Sequence, residues 1–296
     1  MAEEASQPAP FARVALLGIG YMGGSLALAL RASGLAKTVV GYDKDPGAAT
    51  LALERGIIQL AASSPAEAVR SADLVILAAP VRALEGLAKT IAGSLTPGAL
   101  LFDIGSVKGP VADAVRRAVG ESHFVPCHPL AGAEKSGVGA AVADLYHGRP
   151  CVLCPFPTTD LGAIDRVEAL WRAVGSHPIR VPIEEHDGLV AALSHLPHAV
   201  AFALARAAEQ DGTRLRNVLP GGTLTSSLRD TTRVAASSPE VWRDIFLMNG
   251  PNVLPLIDRF VGELQTLRAQ IEANDAAGLH DWLTTARTAR RRLFED

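Results

Sequence analysis

The chain has 296 residues, with 28 basic against 31 acidic side chains and a formal charge of −3. That balance leaves no cationic surplus to neutralise phosphates and argues against a nucleic-acid partner. Hydrophobic residues at 48% and charged residues at 20% exclude a disordered chain and suit one large globular domain or two ordinary ones.

Met1 to Pro10 is acidic, contains proline and lacks an apolar stretch, so residues 1–10 read as a disordered leader and not as a signal or transit peptide. No run of about 18 uninterrupted apolar residues follows, so no membrane span is expected and the protein is placed in the cytoplasm. Val14 to Leu17 is a short apolar run that leads into Gly18-Ile19-Gly20-Tyr21-Met22-Gly23-Gly24-Ser25 and then into Leu26 to Leu30. G-x-G-x-x-G alone is a weak signal, but here a strand precedes it and a helix follows. Gly18 permits the tight turn, Gly20 lets the backbone approach a pyrophosphate, and Gly23 lets the helix pack on the strand. Tyr21 and Met22 open the helix, whose free N–H groups and positive dipole end favour phosphate. The second strand, Thr38 to Tyr42, ends in Asp43. A carboxylate there accepts hydrogen bonds from ribose hydroxyls and repels a 2′-phosphate, which selects NAD over NADP, although Lys44 softens the repulsion.

The alternation continues. Strands over Ala72 to Ala79, Ala99 to Asp103 and from Phe124 are separated by helical patterns over 46–55, 65–70, 81–95 and 110–119. This is the pattern of a doubly wound parallel sheet. Ligands bind such sheets at the carboxyl ends of the strands. Three loops follow strand ends and are expected to line one crevice: Ala79-Pro80-Val81, Gly105-Ser106-Val107-Lys108 and Cys127-His128-Pro129. Proline disfavours the α region for the residue before it, so His128 is expected in an extended or turn conformation. Leu130 to Gly137, with Glu134 and Lys135, has the composition of a loop that approaches a ligand.

Pro150 to Phe156 reads as a strand. Its Cys151 and Cys154 have C-x-x-C spacing, but no second pair completes a metal site, and residues three apart on a strand point to opposite faces. With Cys127 they are expected to be buried thiols in a reducing compartment. A helix over 161–174 and a last strand over 177–183 close a dinucleotide-binding domain spanning 11–183. Residues 184–296 are then expected to form an all-α domain. Its first helix, 184–209, presents the apolar face Leu189, Leu193, Leu196, Val200 and Leu204 and is expected to kink at Pro197. Ser194, His195 and His198 surround that kink and suggest a ligand wall. Two histidines at i, i+3 can hold a metal, but no third donor joins them at suitable spacing, so no metal is assigned. Arg229 and Arg233 are one helical turn apart, Asp230 lies within pairing reach of Arg233, and arginine suits carboxylate recognition. Helices over 239–249 (with Trp242), 253–272 and 276–294 complete an elongated half that is expected to form a homodimer.

Taken together, Gly18 to Ser25, Asp103-Ile-Gly-Ser-Val-Lys108, His128 to Gly137, Ser194-His-Leu-Pro-His198 and Arg229 to Arg233 with Trp242 downstream resemble the prephenate and arogenate dehydrogenases of tyrosine biosynthesis. The resemblance implies NAD-dependent oxidative decarboxylation of a cyclohexadienol. Hydride leaves the ring carbon that bears the hydroxyl, the hydroxyl loses its proton, carbon dioxide departs and the ring becomes aromatic. On this reading His128 is the general base, a role that suits a neutral imidazole, and Ser106 orients it and the nicotinamide. Arg233 and His198 bind substrate, with Ser194 and His195 beside them. Glu134 and Asp230 form a charged gate with Arg233, and Trp242 closes the site from the partner subunit. Two other readings use the same architecture: a β-hydroxyacid or imine reductase type of dehydrogenase, and a non-catalytic NAD-binding sensor.

Overall fold

A computed structural model describes residues 9–131, 135–218 and 225–294. Most of the expected leader and Glu134 lie outside the described residues. The first half alternates β1 (Phe11–Leu17), α1 (Tyr21–Ala32), β2 (Ala36–Tyr42), α2 (Pro46–Glu54), the two-residue β3 (Leu60–Ala61), α3 (Pro65–Val69), β4 (Leu74–Leu77), α4 (Leu84–Ile91), β5 (Leu100–Asp103), α5 (Gly109–Val119) and β6 (Phe124–Pro129). Then come β7 (Pro150–Leu153), α6 (Leu161–Ala173) and β8 (His177–Arg180). Sequence patterning finds every strand except β3, which is too short to carry a period.

The strands form one sheet in the order β3-β2-β1-β4-β5-β6-β7-β8. From β3 to β6 every pairing is parallel, whereas β6 and β7 pair antiparallel, with His128 opposite Val152. The wholly parallel sheet expected from the alternation is therefore corrected at its far edge. Among its described residues the connection between β6 and β7 carries a short 3₁₀ turn, Val138–Ala140, and no crossover helix. Without a crossover a neighbouring strand returns antiparallel.

Both faces of the sheet are covered. One apolar layer joins Leu16, Leu26, Phe102 and Trp171, and the other joins Leu77, Leu84, Val115 and Phe124. The second layer also takes in Trp242 and Ile245 from the helical half, so that half docks on the α4–α5 side of the sheet.

Past β8 every element among the described residues is helical: α7 (Ile183–Val190), a π turn at Ala191–His195, α8 (Leu196–Val218), α9 (Ser226–Thr232), a 3₁₀ turn at Arg233–Ala236, α10 (Pro239–Met248), α11 (Gly250–Glu272) and α12 (Ala276–Phe294). The break expected at Pro197 is taken up as the π turn just ahead of it. Proline has no N–H to give the helical ladder, and the wider turn redistributes the freed carbonyls. The expected apolar face of this run is not its buried face. Leu189 is 48% and Leu193 72% exposed, while His186 and His195 are each 1% exposed. The segment 183–209, with a hydropathy of 1.6, is long and apolar enough to cross a bilayer by composition. Here His186, Asp187 and His195 face the protein, and Leu189 and Leu193 face outward.

Candidate active site

The order of the sheet reverses between β1 and β4, and the crevice of an open α/β sheet lies at such a switch point. Gly18 ends β1 there at φ +102, and a Cβ on it would lie 2.6 Å from the backbone of Ala78. A Cβ on Gly23 would lie 2.3 Å from the carbonyl oxygen of Gly18. At Gly20, by contrast, a Cβ would meet nothing within 4 Å. Gly20 is the N-cap of α1 and gives it no side-chain cap, so the first N–H groups of the helix, at Tyr21 and Met22, lie beside open backbone. These features fit a bound pyrophosphate. Asp43, at the end of β2, accepts the N–H of Ile19 (2.7 Å) on one oxygen and that of Asp45 (2.9 Å) on the other. It therefore braces the glycine turn in addition to any ribose contact. Ala79 and Pro80 follow β4 beside this turn.

His128 lies within β6, half-buried, and its extended conformation is the one its Pro129 neighbour favours. Its Nδ1 lies 2.9 Å from Nε2 of His186, and Nδ1 of His186 lies 2.8 Å from Oδ1 of Asp187. Asp187 also accepts the backbone N–H groups of Lys108 (2.8 Å) and Gly109 (2.9 Å) at the start of α5. Burial works to raise its pKa, but these hydrogen bonds, the His186 one foremost, hold it below the ordinary carboxylate value. An ionised carboxylate only accepts, so Nδ1 of His186 carries the proton and its Nε2 carries the lone pair. The next bond in the chain must then be donated by Nδ1–H of His128. The lone pair of the neutral His128 ring is thereby assigned to Nε2. Burial first, and then the neighbouring His186, Lys108 and His195, lower the His128 pKa well below its usual 6.5, so the ring is neutral near pH 7.

Lys108 is fully buried, paired with Asp103 and donating to the carbonyl of Cys127 at 2.7 Å. It ties β5 to β6 one residue before His128. Ser106 lies in the same loop but does not hold Nδ1 of His128. That bond is made by His186. Neither His186 nor Asp187 stands out in the sequence, because the pair sits ahead of an apolar helical stripe and meets His128 only through the fold.

On the far wall, Asn249 Nδ2 donates to the carbonyl of Asp187 (2.8 Å) and lies 3.0 Å from Nδ1 of His195, while its Oδ1 accepts from Asn252 (2.7 Å). His195 therefore accepts at Nδ1 and presents N–H at Nε2. Burial is the main cause of its pKa falling to about 4. Nδ1–H of His198 donates to the carbonyl of Ser194 at 2.8 Å. Trp242 stacks on His198 (ring centroids 3.6 Å apart, 22° between planes) and meets His195 edge-on at 5.7 Å. It thus packs against the histidines of its own chain. Two residues on, Asp244 approaches Arg82, just past Pro80, at 3.8 Å, linking the helical wall to the cofactor loop.

Arg233 opens the 3₁₀ turn after α9 and is exposed, though engaged. Asp230 is also exposed. Glu134, the other residue of the expected gate, lies outside the described residues. Cys127, Cys151 and Cys154 are free and buried as expected, and burial pushes the Cys154 thiol up to about 12.

Residues 26–180 match the family described as "Prephenate dehydrogenase, nucleotide-binding domain", and residues 182–285 match "Prephenate dehydrogenase, dimerization domain". A cyclohexadienyl dehydrogenase from Zymomonas mobilis is 34% identical over 97% of both chains. A prephenate dehydrogenase from Bacillus subtilis is 33% identical over 94% of this chain and 75% of its own. The crystal structure of prephenate dehydrogenase from Aquifex aeolicus, in complex with hydroxyphenyl propionate and NAD+, superposes with a TM-score of 0.85 at 35% identity, covering 95% of this chain and 98% of that one.

The histidine pKa values set a sign for stability. An unfolded histidine titrates near ~6.5, whereas folded His195 titrates near about 4. Between those values the unfolded chain binds more protons, so stability should fall as pH drops from 6.5 towards 4. Histidine NMR titration should show His195 neutral down to that low value. Titration at the ordinary value would contradict the buried Asn249–His195 bond.

Proposed function

The chain belongs to the prephenate dehydrogenase family, and on that premise we propose which residues carry each part of its reaction. It is an NAD-dependent oxidoreductase that oxidatively decarboxylates prephenate, arogenate or both in tyrosine biosynthesis. NAD, when bound, supplies the hydride acceptor. Gly18, Gly20, Gly23 and the N–H groups of Tyr21 and Met22 hold its pyrophosphate, Asp43 its adenosine ribose, and Ala79, Pro80 and Ser106 the nicotinamide side.

The observation that carries the catalytic reading is the lone pair on Nε2 of His128, assigned there by the bond to His186. His128 takes the proton of the ring hydroxyl as hydride leaves the same carbon. Carbon dioxide then departs, its bonding pair makes the ring aromatic, and the proton returns to the phenolate oxygen. Arg233 and His198 hold substrate carboxylates, with Ser194 completing that wall, and His195 donates through Nε2–H. Trp242 covers the site and keeps the His198 ring in plane by stacking. Glu134 and Asp230 are assigned, with Arg233, to a charged gate that repels a misplaced carboxylate.

The dinucleotide-binding domain spans 11–183 and the helical substrate domain 184–296. The partner that covers the outward leucines is a second copy of the chain. Leu189, Leu193, Leu254, Leu264 and Ile271 are 48%, 72%, 61%, 49% and 60% exposed. Large apolar side chains exposed in this number on one domain mark an interaction surface. The homodimer is cytoplasmic. Sedimentation should give twice the chain mass at micromolar concentration, and a monomer there would rule out this covering.

Nicotinamide reduction should be measured with prephenate and arogenate, each against NAD and NADP. Turnover with NAD is expected, and the faster substrate names the physiological one. Silence in all four, with NAD still bound, would favour a sensor. His128→Asn should lower kcat on the order of 10²–10⁴-fold while NAD affinity stays within about twofold. Near-normal turnover would remove His128 from its role.

A further inference from the structure

The reaction leaves a question of charge. When His128 takes the hydroxyl proton it becomes an imidazolium in surroundings that disfavour one. The Lys108 ammonium is bonded to the carbonyl of the preceding residue, and His195 stands on the opposite wall. Asp103 from β5 is committed to Lys108. His186 is placed differently. It is 1% exposed, bonded to His128 on one nitrogen and to the Asp187 carboxylate on the other. That carboxylate is anchored by two backbone N–H groups at the start of α5, where the helix dipole also favours negative charge. Glu184 and Glu185 on the same helix are exposed, and Asn249 behind Asp187 does not titrate.

We propose that His186 and Asp187 form a relay with His128, in which the positive charge created at His128 passes to His186 and is held there against Asp187 until the proton is returned. This rests on the assignment of His128 as base. Nε2 of His128 forms a bond to the hydroxyl proton, and the O–H pair becomes the carbon–oxygen π bond as the C–H pair leaves with hydride for the nicotinamide. The Nδ1–H bond of His128 breaks, and its proton joins Nε2 of His186. Nδ1–H of His186 stays donated to Asp187 throughout. When the carbon–carboxylate bond breaks, its pair enters the ring and ends on the oxygen. Both proton transfers then reverse, and the phenol leaves with the proton the substrate brought. The protein gains and loses no proton, which suits a relay sealed from solvent. His186 and Asp187 touch no substrate and are positioning residues.

The test uses the full chain with prephenate and NAD in single-turnover nicotinamide reduction, for His186→Phe, His186→Gln, Asp187→Asn and His128→Asn. Phenylalanine removes the acceptor for His128. Glutamine offers an oxygen to Nδ1–H of His128 but cannot take up its proton. The Phe variant should lose about 10²-fold in rate with NAD affinity unchanged, and the Gln variant should recover only part of that loss. In mixtures of light and heavy water, the parent rate should curve with deuterium fraction, as two moving protons require, and the Gln variant should respond linearly. Asp187→Asn should keep the curvature at a lower rate. Full recovery by Gln with a curved response would reduce His186 to an orienting group and overturn the relay. So would a parental rate in the Phe variant. If the Phe variant does not fold, the Gln rate and its isotope response decide. Loss of the relay signature with His128→Asn still inactive would leave His128 as base. An active His128→Asn would overturn the base assignment itself.

Discussion

Asp187 sits where the two halves of the chain meet, and its carboxylate imposes order on the site. Its oxygens accept the N–H groups that open α5 and bond His186, and its own carbonyl receives Asn249. An ionised acceptor at that point dictates the tautomer of His186, and that of His128 follows. Asn249 carries the same logic to His195, which becomes a neutral donor. Hydrogen-bonding roles in His186 and His128 thus follow from one buried carboxylate, and those in Asn249 and His195 from the carbonyl of the same residue, a strong constraint because any mismatch would bury an unpaired polar group.

The helix run from Ile183 shows the cost of reading amphipathicity as burial. Its leucine stripe suggests a core-facing side, yet the structure buries His186, Asp187 and His195 and leaves Leu189 and Leu193 outside. Each buried polar group has a partner, so the inversion is tolerable. The π turn ahead of Pro197 shifts the helix azimuth between the two histidine groups. It brings His195 to Asn249 and leaves His198 stacked on Trp242.

The cofactor half depends on close backbone approach. Gly18 and Gly23 are required by contacts a single methyl group would break, and Asp43 holds the turn that they make. The second apolar layer then carries α10 onto the sheet, and with it Trp242. The crevice at the strand ends and the helical wall opposite are in this way parts of one packed body.

What the sequence by itself determined is local: a strand, a glycine turn, a helix and a second strand that ends at Asp43, an extended histidine before a proline, and three final helices. These follow from steric rules and periodicities that operate over a few residues. Nothing local marks His186, which lies 58 residues from the ring it bonds. Nothing local separates Ser106 from His186 as the partner of His128, or shows that β7 reverses direction. Whether Trp242 covers its own site or a neighbour's, and which face of the long helix turns inward, is likewise decided by long-range packing. Such choices depend on which polar groups find partners once the sheet and helices have met, and that satisfaction exists only in three dimensions.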